Sequence, residues 1–244
     1  MLKDNIHRLA RWFGFEFYKL ANFRPSLHGL ERVTGSFAPL DSHRNLGTPE
    51  TYFIHSGYTA RIDNDFFDDT GNRDQWQQEV YRYAAELCQQ LNFKTVCDVG
   101  CGSAYKLLKY LGHLDVIGVD MPETVQLLRE RHPERAWQSG FDEVPSQAID
   151  LVIAADVIEH LPNPDEMMRF IARIGPRHIL ISTPDRDLFR AGTYNGPPGN
   201  PAHVREWNFT ELEAYVSSYF ELDEHFISSA PQCTQCILCH PRTR

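Results

Sequence analysis

The sequence predicts an α/β fold with five parallel strands, and three observations carry that reading. Val96-Cys97-Asp98-Val99-Gly100-Cys101-Gly102-Ser103-Ala104 reads as a short β-rich run, a glycine turn and the start of a helix. Tyr105, Leu107, Leu108 and Leu111 mark that helix by their spacing. Strand and helix patterns then alternate from Thr95 to Ser182, the signature of βαβ units and a parallel sheet. Ile149 to Ala155 is an unbroken apolar run, as expected of a central strand covered on both faces.

The glycine turn is the first candidate site. Gly100 and Gly102 lack the Cβ atoms that would keep a ligand off the backbone. Ser103 is placed to cap the following helix, whose first N–H groups face the same space. A dinucleotide fingerprint needs a third glycine, so that the helix start can receive a pyrophosphate. Tyr105 stands in that place, and Asp98, two residues before Gly100, would repel a pyrophosphate. A ligand carrying a positive charge is favoured instead.

The other elements follow in order. Residues 1 to about 24 read as an amphipathic helix with Trp12, Phe13, Phe15, Phe17 and Tyr18 among Lys3, Arg8, Arg11, Lys19 and Arg24. It suits either a membrane surface or partner, or simple packing on the domain. Residues 25–73 are rich in proline and glycine, yet too apolar for a disordered tail. They read as an ordered cap, lining a site or covering the sheet edge. Domain boundaries are therefore placed at 1–73 for the extension and cap and 74–244 for the main domain. Asp74 to Leu91 reads as a helix with Asp74 as N-cap, leading into the strand Thr95 to Asp98.

Val116 to Asp120 is a second strand ending in an acid. A carboxylate there can accept both hydroxyls of a ribose. Ala136 to Gln138 is a weak third strand followed by Ser139-Gly140-Phe141-Asp142, and Pro164 to Ile174 is a helix whose methionines read as core. His178 to Ser182 is the fifth strand, and a loop runs from Thr183 to Trp207. Thr210 and Glu213 are expected to form a capping box. Phe220 to Ile227 and Thr234 to His240 are two closing strands. Cys233, Cys236, Cys239 and His240 have the ligand count of a zinc site but not its paired spacing, so no metal is assigned.

Composition sets limits. The chain has 244 residues, 42% of them apolar, enough for one α/β domain with extensions. A net charge of −9 argues against a general nucleic-acid binder. With no apolar run of membrane-span length and no signal-peptide pattern, a cytoplasmic protein with six free thiols is expected.

The pattern D-V-G-C-G-S-A over 98–104 resembles the first motif of the class I S-adenosylmethionine (SAM) methyltransferases, with Ala104 where the family usually has glycine. Asp156-Val157-Ile158-Glu159-His160-Leu161-Pro162 resembles the family's segment after the fourth strand. His203-Val204-Arg205-Glu206-Trp207 resembles a loop ending in bacterial methyltransferases associated with sugar and surface-glycan biosynthesis. The resemblance covers about 95 to 210. It implies a Rossmann-like sheet closed by a C-terminal antiparallel hairpin, with SAM held by Asp98, Gly100, Cys101, Gly102, Asp120, Met121, Asp142 and Asp156. Asp142 would reach the adenine amine, although a plain exposed turn residue fits it equally well. Glu159, Arg205 and Trp207 would bind the acceptor, Arg205 through a phosphate or carboxylate and Trp207 by stacking on a pyranose ring. His160 or His203 would be the base for O-methylation of a saccharide or sugar phosphate, unless both are structural. An amine acceptor, an NAD-dependent oxidoreductase and a non-catalytic SAM-fold module remain open alternatives.

Overall fold

The computed structural model describes residues 49–242 apart from 66, 67, 69, 72 and 191–193. The expected N-terminal helix and the first half of the expected cap lie outside the described residues. Seven strands form one sheet: β1 (Thr95–Val99), β2 (Asp115–Asp120), β3 (Ala136–Ser139), β4 (Leu151–Ala155), β5 (His178–Pro184), β6 (Phe220–Ser229) and β7 (Thr234–Pro241). Their order is β3-β2-β1-β4-β5-β7-β6. The first five are parallel, and β7 runs antiparallel between β5 and β6. This is the expected parallel sheet with its closing hairpin.

Both faces of the sheet are covered, and strand alternation shows how. Leu151, Ile153 and Ala155 of β4 enter one core with α1 (Gln78–Leu91), α2 (Tyr105–Leu111) and α3 (Pro122–Arg131). Val152 and Ala154 enter the other with α4 (Pro164–Ile174) and α6 (Phe209–Ser217). Met167 and Met168 of α4 are fully buried there, as read from their spacing. Proline in the first turn of α4 and Gly175 in the left-handed conformation at its end explain why its bounds were legible.

Helix starts were less legible. Helix α1 begins at Gln78, four residues after the expected cap, because Asp74 pairs instead with Lys109 and Tyr110 on α2. Trp76, ahead of the helix, is exposed rather than part of its buried face. The cap of α2 is Ala104 at φ +55°, not Ser103, whose hydroxyl accepts the Tyr105 N–H at 3.3 Å. The capping box of α6 is Asn208 with Glu211, two residues before the expected pair. Thr210 instead donates its hydroxyl to the Asn208 side chain.

The described part of the cap lies on the long loop after β5, not on an edge of the sheet. Within that loop is a short helix, α5 (Arg186–Arg190). The N–H groups of Thr59, Arg61 and Asp65 donate to the carbonyls of Asn195, Val204 and Pro201. Tyr52, Ile54 and Tyr58 insert into the α4/α6 core. Among the described residues no helix is long and apolar enough to cross a membrane.

Candidate functional site

The carboxyl ends of β1, β2 and β3 are laced together at the glycine turn. Gly100 N–H donates to Val119 O at 2.8 Å, Gly102 N–H to an Asp120 carboxylate oxygen at 2.8 Å, and Gly140 N–H to Asp120 O at 3.0 Å. The second Asp120 oxygen accepts the Met121 N–H at 2.7 Å. Gly100 and Gly102 have φ of +74° and +50°. A Cβ on Gly100 would lie 2.4 Å from a Val157 methyl carbon, so only glycine lets the turn approach the segment after β4. This is the point where strand order reverses, between β1 and β4, and ligands of open α/β sheets bind there.

Three carboxylates ring this point. Asp98 is fully buried at the end of β1, and one of its oxygens accepts the Tyr81 hydroxyl at 2.8 Å. Asp120 ends β2. Asp156, at φ +53° after β4, accepts the Ser182 hydroxyl at 2.6 Å, and burial raises its carboxyl pKa. Beside Asp98 and Asp156 an anionic pyrophosphate is disfavoured, whereas the sulfonium and ammonium charges of SAM are matched, and Asp120 is placed for a ribose. The residues present therefore fit SAM. Cys101 contributes backbone only, because its side chain joins the α1–α3 core. Met121 is exposed at the start of α3. Asp142 is exposed and lines a cavity of about 650 Å³ at the β3 edge, with Trp137, Gln138 and Ser139, which includes none of the glycine-turn residues.

A second cluster stands just beyond Val157. The 3₁₀ turn Ile158–His160 carries Glu159, and the loop after β5 brings in His203. The rings of His160 and His203 meet edge to face, 4.7 Å between centroids. His160 Nδ1 donates to Ala202 O at 3.0 Å, because a carbonyl only accepts. His203 Nδ1 donates to a Glu206 carboxylate oxygen at 2.7 Å. Asn200 accepts the Ala202 N–H through its Oδ1, so its Nδ2 faces His203 Nε2 at 2.9 Å. Both imidazoles therefore hold their hydrogen on Nδ1 and keep the lone pair on Nε2. Burial, with His203 beside it, lowers the His160 pKa to about 4. Glu159 is fully buried, and one of its oxygens accepts the Thr183 hydroxyl at 2.8 Å. Burial, reinforced by Asp156, pushes its carboxyl well above the usual range.

Two expected acceptor residues are corrected. Trp207 is fully buried, stacked on Tyr215 at 5.6 Å, with its indole N–H on Tyr52 O at 2.9 Å. It offers no ring face to a pyranose. Arg205 is 1% exposed and donates to Leu161 O and Pro162 O, both at 2.9 Å, with its guanidinium 4.3 Å from the Tyr52 ring centroid. It ties the His160 turn to the cap rather than holding an anion. The C-terminal cysteines do not converge either. Cys236 lies in one core and Cys239 in the other, while His240 pairs with Asp223. Tyr81, Thr183 and Glu206, which support Asp98, Glu159 and His203, were not singled out by sequence. Tyr81 and Thr183 carry no local signal, and Glu206 stood unassigned inside a motif already quoted.

Comparison with known proteins agrees with this geometry. A family model described as "Methyltransferase domain" matches residues 69–224. A "probable S-adenosylmethionine-dependent methyltransferase" of Mycobacterium tuberculosis is 34% identical over 176 residues, covering 68% of this chain and 59% of that protein. The chain thus spans about three-fifths of the length of that relative. A tRNA U34 carboxymethyltransferase of Shewanella sediminis is 34% identical over 108 residues, covering 39% of this chain and 32% of that protein. Among solved structures, magnesium protoporphyrin IX methyltransferase from Synechocystis with bound SAH matches with a TM-score of 0.54 at 14% identity, covering 74% of this chain and 90% of that one. The PH0226 protein of Pyrococcus horikoshii matches with a TM-score of 0.53 at 16% identity, covering 80% and 100%. At these identities the structures show the fold alone. With the family match extending over most of the described residues, the chain belongs to the class I S-adenosylmethionine-dependent methyltransferases.

Proposed function

We propose that this protein transfers a methyl group from SAM to a hydroxyl of a small polar acceptor, placed between the glycine turn and the Glu159–His160–His203 cluster. The observation that supports this most is the convergence of those three polar side chains beside Val157, the residue that touches the turn. SAM supplies an electrophilic methyl group on a sulfonium sulfur. The chain's own work is to hold the reacting atoms in line and to help the hydroxyl lose its proton. Gly100, Gly102 and the three carboxylates serve the first task. His160, with its lone pair fixed on Nε2, serves the second. The saccharide expectation rested on the resemblance of the 203–207 loop ending and on acceptor roles for Arg205 and Trp207; those two are closed inside the protein, so the proposal is a hydroxylated small molecule, a class that includes sugars and sugar phosphates. Residues 1–73 serve as the cap and 74–244 as the catalytic domain in this reading, in keeping with the packing of 49–65 on the acceptor loop.

Two measurements check it. Asp120→Ala removes the carboxylate that holds Gly102 and is assigned to the ribose. It is expected to weaken SAM binding by about 1–3 kcal/mol, the scale of hydrogen bonds to a charged group. Unchanged affinity by calorimetry in a folded variant rejects the assignment. For the acceptor, radiolabelled SAM is incubated with a panel of free sugars, sugar phosphates, phenols and amines. Product on hydroxyl compounds is expected, and product on amines alone overturns the reading. With the best acceptor from that panel, His160→Ala is expected to slow single-turnover transfer at least about tenfold with SAM affinity intact.

A further inference from the structure

We propose that Glu159, His160 and His203 form a binding site for a divalent first-row transition-metal ion of the zinc or manganese class. The inference rests on the reading above that this cluster faces the acceptor, and it names what the cluster binds there. One ligand atom from each residue lies within 4.8 Å of the others. Tetrahedral ligands bound at about 2.0–2.2 Å sit about 3.3–3.6 Å apart, so the side chains must draw in by up to about 1.5 Å to close the set. Two imidazoles and one carboxylate favour zinc, manganese or iron over magnesium and calcium, which prefer all-oxygen shells.

Two further observations point to a cation. Glu159 is fully buried, and its Oε1 has no hydrogen-bond partner among the described residues. A proton on that oxygen would replace an unmet acceptor with an unmet donor, whereas a cation meets it. Lastly, the imidazoles are already in a metal-binding tautomer. His203 Nδ1–H is held by a carboxylate and His160 Nδ1–H by a backbone carbonyl, the outer-shell contacts that metal-ligating histidines make. Binding at His203 Nε2 displaces the Asn200 amide that now touches it, exchanging one neutral hydrogen bond for a metal bond.

An ion here would take the acceptor hydroxyl as a further ligand and lower its pKa, so that the hydroxyl proton passes to water. The acceptor oxygen then forms its bond to the methyl carbon, and the carbon–sulfur bond breaks with its electron pair going to sulfur. With the ion bound, the His160 Nε2 lone pair is spent on the metal, so His160 is a ligand in place of the base, and its loss slows transfer by loss of the ion.

The test uses the full chain stripped with EDTA and titrated separately with manganese, zinc and magnesium chlorides, followed by dialysis and elemental analysis. One manganese or zinc per chain is expected, held at least tenfold more weakly in Glu159→Gln and in His160→Ala, and retained in Cys236→Ser. SAM affinity measured in parallel reports folding, and the partly exposed His160 keeps the test open if Glu159→Gln does not fold. No stoichiometric manganese or zinc, or equal retention in both variants, overturns the site. Metal content is read without any acceptor. A bound ion with methyl product on amines alone therefore rejects the acceptor reading and leaves the site standing. An O-methyl product from protein that binds no ion does the reverse.

Discussion

Gly100→Ala is expected to reduce SAM affinity at least about thirtyfold while leaving helix content unchanged by circular dichroism. Two costs combine. The position has φ +74°, and a residue with a Cβ costs about 1–2 kcal/mol in the left-handed region. The new methyl carbon would also sit 2.4 Å from a Val157 γ-carbon, and overpacking of this kind costs about 1–3 kcal/mol. Valine is stiff about χ1 and cannot simply turn away. The sum, about 2–5 kcal/mol, falls on a turn that must approach both the ligand and the segment after β4. Val157→Ala in the same protein removes the γ-methyl groups, so the double variant is expected to recover the steric part of the loss and keep the backbone part. Titration of SAM into the two variants reads both. Wild-type affinity in Gly100→Ala would show that the turn does not carry the ligand.

Trp207→Ala is expected to be the most destabilising of the substitutions considered, and to act on the fold rather than on acceptor binding. The ring is fully buried between the cap and α6, stacked on Tyr215 and anchored to Tyr52 O. Truncating a buried tryptophan costs about 3–5 kcal/mol in lost burial and residual cavity. For a chain of this size each kcal/mol lowers Tm by about 2–4 °C, so a fall of about 6–20 °C is expected in a thermal melt. Trp207→Phe keeps a ring against Tyr215 but loses the bond to Tyr52 O, about 1–3 kcal/mol, and part of the buried ring volume. An unchanged Tm with a raised acceptor KM would restore the stacking role that sequence alone assigned.

Those two residues mark where sequence stops being informative. Gly100 was legible because a glycine between a strand and a helix has a backbone reason that local sequence displays. Asp120 was legible because a strand-ending acid after an apolar run fixes both its position and its direction. Trp207 and Arg205 were not, since a loop residue's type does not say which way it faces. Their burial comes from Tyr52 and Leu161, distant in sequence and brought together by the cap. His160 and His203 were placed on the ligand side because both follow the carboxyl ends of parallel strands, and the structure brings their rings together. The tautomers are set by Ala202, Glu206 and Asn200, contacts that no motif encodes. Helix starts failed for a related reason. Asp74 is a good cap by type, but Lys109 and Tyr110 on α2 compete for its carboxylate.

The central claim is that the acid-ringed glycine turn is a SAM site, and the most direct measurement is calorimetric titration of the full chain with SAM and, separately, with NAD. One SAM bound per chain with no measurable NAD binding is the expected result, because Asp98 and Asp156 match a positively charged ligand and oppose a pyrophosphate, while Asp120 suits the ribose of either. NAD binding as tight as SAM binding, or no heat with SAM in protein shown to be folded, would contradict it.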